Sequence, residues 1–131
     1  MKIAFASTDN IHVNEHFGWC KRFYMYELKN GKFVFLKAVE SKNEISEETD
    51  KLNYKIECIK GVDILCASHI GPRASLMVKN AGIFVLGVQK ENELIKNILN
   101  KLLDMKDANP PLWMQRLLKP DGIVYAREFN D

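Results

Sequence analysis

The chain has 131 residues, of which 47% are hydrophobic and 10% aromatic; this is enough for one packed domain and too much for an intrinsically disordered chain. Its formal net charge of +2, from 19 basic and 17 acidic residues, leaves no basic tract for a nucleic-acid partner. The first apolar run is too short for a signal peptide and no later run has membrane-spanning length, so we expect a cytoplasmic protein without membrane association.

The first part of the chain predicts a strand followed by a β-hairpin. A short apolar run at 2–7 predicts the first strand, and a polar loop follows it. The β-prone runs 22–28 and 33–39 are separated by a turn that contains Asn30-Gly31. Because both central positions of such a turn tolerate positive φ, we predict two antiparallel strands joined by a tight hairpin.

The rest of the chain alternates helices with strands. Apolar residues at helical spacing predict a helix over 47–60, which Gly61 ends at a position suited to a left-handed cap. The elements that follow are a buried-type strand at 62–67, a short helix at 72–79, a second buried-type strand at 83–88 and a long amphipathic helix around 94–103. The pattern breaks at Asn109-Pro110-Pro111.

These elements predict an α/β fold in which helices flank a five-stranded mixed sheet. Hairpin strands stay adjacent and strand–helix–strand crossovers are parallel, which gives the spatial order third, second, first, fourth, fifth strand. In that order a crevice opens at the carboxyl ends of the first and fourth strands, where ligands tend to bind. We divide the chain into an α/β domain over 1–107 and a C-terminal tail with a short helix over 108–131.

The two loops expected at that crevice carry all three histidines. His12, His16 and Cys20 lie in the first loop, and His69 lies in the second. Imidazole and thiolate both bind iron, so a metal or metal cluster is a natural occupant. His16 is the strongest candidate because Gly18, two residues later, lets the backbone approach a ligand closely. We interpret His12 as a solvated loop histidine.

The three cysteines form no Cys-x-x-Cys pair, which argues against a disulfide framework and a tetrahedral zinc site. Cys66, at a strand end, is expected to be a small buried side chain, and Cys58 lies in a helix far from the crevice. The cations of Lys21, Arg22 and Arg73 either complement an anionic cluster at the crevice or are ordinary surface charges.

Several segments resemble the dinitrogenase iron-molybdenum cofactor biosynthesis family of NifX- and NafY-type carriers. The opening I-A-F-A-S-x-D, the motif V-x-x-H-F-G-x-C-x-R-F-x-x-Y over 13–26 and D-x-L-C-x-x-x-I-G over 63–71 carry the resemblance. It covers about residues 1–104, and the segment 109–118 resembles the tail of the NifX subgroup.

The resemblance implies a single-domain ribonuclease-H-like fold that holds an iron-sulfur precursor cluster or the iron-molybdenum cofactor as transient cargo. The implied partners are nitrogenase cofactor assembly proteins and apo-dinitrogenase, and the family histidine falls on His16. The predicted binding residues are His16, Phe17, Gly18, Cys20, His69, Gly71 and Arg73, with His16 and Cys20 as metal ligands. One departure from the family pattern is Pro72, which removes a backbone donor that Arg73 is expected to replace.

Three other functions compete with a carrier. A nuclease needs carboxylates that converge at strand ends, but Asp63 begins its strand. A thiol enzyme with Cys20 and His16 lacks a recognisable orienting group or oxyanion site. We therefore predict no catalytic residues and no enzymatic activity. A regulatory or interaction domain without metal cargo stays open as the alternative.

Two hypotheses also stay open for the segment 109–118. It opens with prolines and places Trp113 near Leu117 at helical spacing. Trp113 either docks on a partner protein or packs back on its own domain.

Overall fold

The computed structural model of the protein describes residues 1–88 and 90–118. The elements in chain order are β1 (Lys2–Ala6), β2 (His12–Val13), a 3₁₀ helix (Phe17–Trp19), β3 (Arg22–Lys29), β4 (Lys32–Glu40), α1 (Glu48–Cys58), β5 (Ile64–Cys66), α2 (Pro72–Asn80), β6 (Phe84–Leu86), β7 (Glu93–Leu94), α3 (Ile95–Asp107) and α4 (Leu112–Leu118). No helix in this described part of the chain is both long and apolar enough to cross a membrane.

The main sheet has five strands in the order β4-β3-β1-β5-β6. The central strand, β1, pairs antiparallel with β3 and parallel with β5, and β5 pairs parallel with β6. The hairpin between β3 and β4 turns at Asn30 and Gly31, whose φ angles of 51° and 79° are both positive. The predicted mixed sheet, its strand order and the hairpin are confirmed; the ribonuclease-H-like assignment stays a prediction.

The sheet separates two apolar cores because successive side chains of a strand point to opposite faces. On β1, Ala4 and Ala6 face a core that includes buried residues of α1 and α2. Ile3 and Phe5 face a second core that includes buried residues of α3 and α4. The molecule therefore has three layers, with one pair of helices on each side of the sheet.

A second, two-stranded sheet is absent from the sequence prediction. In it, β2 pairs antiparallel with β7, so that His12 lies opposite Leu94 and Val13 opposite Glu93. Strands of two residues are too short to show an alternating pattern, which is why sequence analysis missed them. This pairing fixes the loop that carries His16 against the start of α3.

The short helix α4 packs on the domain that precedes it. The Trp113 ring stacks on Phe84 with centroids 4.0 Å apart and planes 8° from parallel. Met114, the next residue, is fully buried in the second core. Trp113 therefore packs on its own domain, and the docking of this segment on a partner stays a prediction. The predicted tail beyond Leu118, residues 119–131, lies outside the described residues.

This packing predicts that α4 contributes to stability through Met114. We expect Met114→Ala to lower the free energy of unfolding by about 2–5 kcal/mol, because the change leaves a cavity in a closed core. Leu112→Ala on the same helix is the control, since Leu112 is 44% exposed and its truncation should cost about 0.5 kcal/mol or less. Urea denaturation followed by circular dichroism measures both. Equal losses in the two variants would contradict the docking of α4.

Candidate functional site

Backbone hydrogen bonds join the loop that follows β1 to the loop that follows β5. The Phe17 N–H donates to the His69 carbonyl oxygen at 3.0 Å, and the Ser68 N–H donates to the Glu15 carbonyl oxygen at 3.0 Å. This parallel bridge brings the rings of His16 and His69 to a centroid distance of 4.5 Å, with 34° between their planes. Both histidines are exposed. The structure thus brings together two residues that the sequence places in separate loops.

The histidine pair lines a pocket of about 260 Å³, which we call the histidine pocket. The 3₁₀ helix, the starts of α1 and α2 and the loop before α2 supply the rest of its lining. Five residues of the predicted site line the pocket, and they are His16, Gly18, His69, Gly71 and Arg73. The predicted site did not include the other seven lining residues, which are Trp19, Glu48, Lys51, Leu52, Ile70, Pro72 and Ala74.

Two cations and one carboxylate lie among the residues that line the histidine pocket. The Lys51 ammonium is 3.1 Å from the Glu48 carboxylate and 4.2 Å from the centroid of the Trp19 ring. The second cation, Arg73, donates a hydrogen bond from Nη2 to the Thr49 hydroxyl. With neutral histidines the lining carries a net positive charge, which favours an anionic ligand.

The helix α2 begins at this pocket and adds to its positive potential. Gly71 is the N-cap residue, and no side chain in the described part of the chain caps this end of the helix. The first-turn N–H groups of Arg73 and Ala74 have no acceptor within the helix, and the helix dipole favours negative charge there. Pro72 has no N–H to offer, as expected from the sequence.

Cys20 lies in the core and not in the lining of the pocket. It is fully buried, and its thiol donates to the Arg22 carbonyl oxygen at 2.7 Å. Burial raises the pKa of Cys20 to about 11, so the thiol stays protonated at neutral pH. The expectation of a loop thiolate in contact with the ligand is therefore corrected, and this geometry gives no support to Cys20 as a metal ligand.

Three further predicted residues also lie elsewhere. Phe17 is fully buried, with its ring 5.7 Å from the ring of Phe23. The Arg22 guanidinium pairs with Glu40 at 2.6 Å on the β3–β4 edge. Lys21 lines a different cleft together with Arg22. The cations that line the histidine pocket are therefore Lys51 of α1 and Arg73 of α2, and not Lys21 and Arg22.

The third histidine, His12, is held by Asp9. Its Nδ1 lies 2.8 Å from the Asp9 carboxylate, and hydrogen bonds from the His12 and Ile11 backbone and from this ring hold the pKa of Asp9 well below its usual range. His12 does not line the histidine pocket, and it lies in the short strand β2 and not in an irregular loop.

The donor set of the pocket is small. No group of three or more His, Cys, Asp or Glu residues within the described ranges is placed to hold a metal ion. His16 and His69 therefore offer at most two imidazole ligands. A metal atom held by this pair would take its remaining coordination bonds from other atoms of the bound molecule.

Comparison with known proteins gives one family. The model of the family described as dinitrogenase iron-molybdenum cofactor matches residues 1–105. Protein NifX of Herbaspirillum seropedicae is 31% identical over 91% of this chain and 82% of that protein. Protein NifX of Sinorhizobium fredii is 28% identical over 100% of this chain and 86% of that protein.

A solved structure shares the fold. The crystal structure of PH0822 superposes with a TM-score of 0.61 and 19% identity, over 79% of this chain and 91% of that chain. At this identity the likeness concerns the fold alone.

The burial of two cysteines predicts a clear order of thiol reactivity. Burial raises the pKa of Cys20 to about 11 and that of Cys66 to about 12, whereas Cys58 is only half-buried. We expect iodoacetamide at about pH 8 to label Cys58 first, because the other two thiols become accessible only when the protein opens. Mass spectrometry of peptides measures the order, and labelling in urea, where all three should react, is the control. Rapid labelling of Cys20 in the folded protein would contradict its placement.

Proposed function

The chain belongs to the dinitrogenase iron-molybdenum cofactor family, and from that membership we propose that it takes part in nitrogenase cofactor assembly as a cargo carrier. Its cargo is an iron-sulfur precursor cluster or an iron-molybdenum-type cofactor, held in the histidine pocket. The recipients are other cofactor assembly proteins or apo-dinitrogenase. The family resemblance of the sequence is confirmed by the match over residues 1–105; the cargo and the recipients are the proposal.

The observation that carries this proposal is the pairing of His16 and His69. Two exposed imidazoles whose ring centroids lie 4.5 Å apart are able to reach metal atoms of one ligand. A neutral imidazole donates a nitrogen lone pair to iron, and its bond to the metal is more easily broken than that of a thiolate. A pair of such ligands suits a protein that must later give up its cargo.

The remaining chemistry of the pocket fits binding better than catalysis. Its carboxylate, Glu48, is already paired with Lys51. The nearby thiol of Cys20 is buried and its pKa is raised to about 11, which leaves little thiolate for a nucleophilic attack at neutral pH. We therefore propose that the protein binds its cargo without transforming it.

An interaction domain without metal cargo is the second candidate. The observation in its favour is that the described residues contain no group of three metal-ligating side chains. A carrier needs no such group, because the cluster brings its own sulfide ligands. The two candidates differ in one measurable property, which is binding of the cluster by the purified protein.

The histidine pair supplies the test. We expect the apo-protein to bind isolated precursor cluster in an anaerobic titration followed by visible absorbance. His16→Ala and His69→Ala should each raise the Kd at least about tenfold, since a lost metal–ligand bond removes more than about 1.4 kcal/mol of binding free energy.

The matched control is His12→Ala, which removes the third histidine and should leave the Kd unchanged because His12 is bound to Asp9 outside the pocket. Absence of any cluster binding by the wild-type protein would favour the interaction domain. Binding that all three variants retain would place the cargo elsewhere on the molecule.

A further inference from the structure

Lys51 is a largely buried cation in the lining of the histidine pocket. It lies in the first turn of α1, where the helix dipole disfavours a cation, and its side chain is only 8% exposed. The second cation of the lining, Arg73, lies in the first turn of α2. Two helix N-termini and two cations thus surround one small pocket. The N-terminus of α1 already carries carboxylates, since the Glu47 side chain caps it and Glu48 and Asp50 lie in its first turn, whereas the first turn of α2 holds no acidic residue.

The contacts of the Lys51 ammonium fix its position without burying a counter-charge. The Trp19 ring, 4.2 Å away, holds the cation through its π face. Glu48, 3.1 Å away, has a side chain that is 55% exposed. A solvated carboxylate of this kind contributes at most about 1 kcal/mol, so a ligand anion that enters the pocket is able to replace it.

Gly18 lies next to this ammonium in the lining of the pocket. A Cβ atom at Gly18 would lie 3.7 Å from Lys51 Nζ and 4.0 Å from its Cε. The backbone of Gly18 has no positive φ, so its conformation does not require glycine. Any side chain longer than a methyl group at this position would occupy space beside Lys51. An alanine here would make ordinary van der Waals contact with Lys51, so a methyl group fits beside the lysine.

We propose that Lys51 binds the anionic face of the cargo and that the negative charge of the cargo replaces Glu48 as the partner of the ammonium. This inference rests on the proposed carrier function and names the class of its ligand, a compact polyanion that accepts charge-assisted hydrogen bonds through sulfide or oxygen atoms. His16 and His69 bind metal on one wall of the pocket while Lys51 binds negative charge on another. Together the two walls set the orientation of the cargo.

Trp19 provides a local reporter for the test. The chain has two tryptophans, and Trp113 is the one stacked on Phe84 in the core. In a Trp113→Phe background, which keeps an aromatic ring against Phe84, Trp19 is the sole tryptophan. The probe is a synthetic, thiolate-capped [4Fe–4S] cluster with a dianionic charge, added anaerobically, and its binding is measured as quenching of Trp19 fluorescence at several salt concentrations.

Three variants test whether the positive charge at position 51 contributes to binding. Lys51→Met should raise the Kd about 10- to 100-fold and reduce the dependence of the Kd on salt, because a hydrogen bond from a charged donor is lost. Lys51→Arg should keep most of the affinity. Glu48→Gln should lower the Kd several-fold, since it removes the competing carboxylate.

The second lysine–glutamate pair at the other end of α1 gives matched controls. Lys60 lies 3.6 Å from Glu57, and both side chains are at least 70% exposed. Lys60→Met and Glu57→Gln make the same changes in net charge as the test variants, and we expect neither to alter the Kd or its salt dependence by more than the error of the titration.

The titrations test the carrier function and the role of Lys51 separately. No binding by the wild-type protein would overturn the carrier function and this inference with it. Binding by the wild-type protein with an unchanged Kd and salt dependence in Lys51→Met would overturn the role of Lys51 and leave the carrier function standing. If circular dichroism shows that Lys51→Met does not fold, Glu48→Gln decides: a Kd equal to or higher than that of the wild type would overturn the inference.

Discussion

The backbone bridge between the two loops is the constraint on which the rest of the site depends. Both loops leave the carboxyl ends of neighbouring parallel strands, where Phe5 of β1 lies opposite Cys66 of β5. The bridge continues this pairing beyond the strands, so that His16 and His69 stand side by side. A slip of one residue in the β1–β5 register would turn alternate side chains to the other face of the sheet. The chemistry of the site is therefore set by strand pairing.

The far end of the same loop is held by a buried lysine. Lys55 is fully buried, and its ammonium donates to the Cys20 carbonyl oxygen at 2.6 Å, the Ser41 hydroxyl at 2.8 Å and the Asn43 side-chain oxygen at 2.5 Å. Burial lowers the pKa of Lys55, while three acceptors use all three of its N–H donors. The loop with His16 is thus fixed at one end by the sheet and at the other by α1.

Lys51 and Lys55, four residues apart on α1, differ in the partners of their ammonium groups. The ammonium of Lys55 is enclosed by neutral acceptors from two segments of the chain, one at Cys20 and one at Ser41 and Asn43. That of Lys51 lines a pocket, and its partners among the described residues are a solvated carboxylate and an aromatic ring. The first arrangement stabilises the loop, whereas the second keeps a positive charge available. A pocket with two imidazoles and one such cation offers a few separate contacts, which together fall short of a full coordination shell.

The sequence by itself determined the elements of the sheet, its hairpin and the loops that carry His16 and His69, because turn chemistry and apolar periodicity act over a few neighbouring residues. Tertiary structure alone decided that Cys20 is buried, that Lys51 lines the pocket and that Met114 is buried in the core between the sheet and α3. Each of these three outcomes depends on contacts between segments far apart in the chain, and local patterns do not report which side chain another element will cover. A loop thiol and a helix lysine look equally exposed until α1 folds over the loop, since that packing encloses the thiol and leaves the lysine facing the pocket.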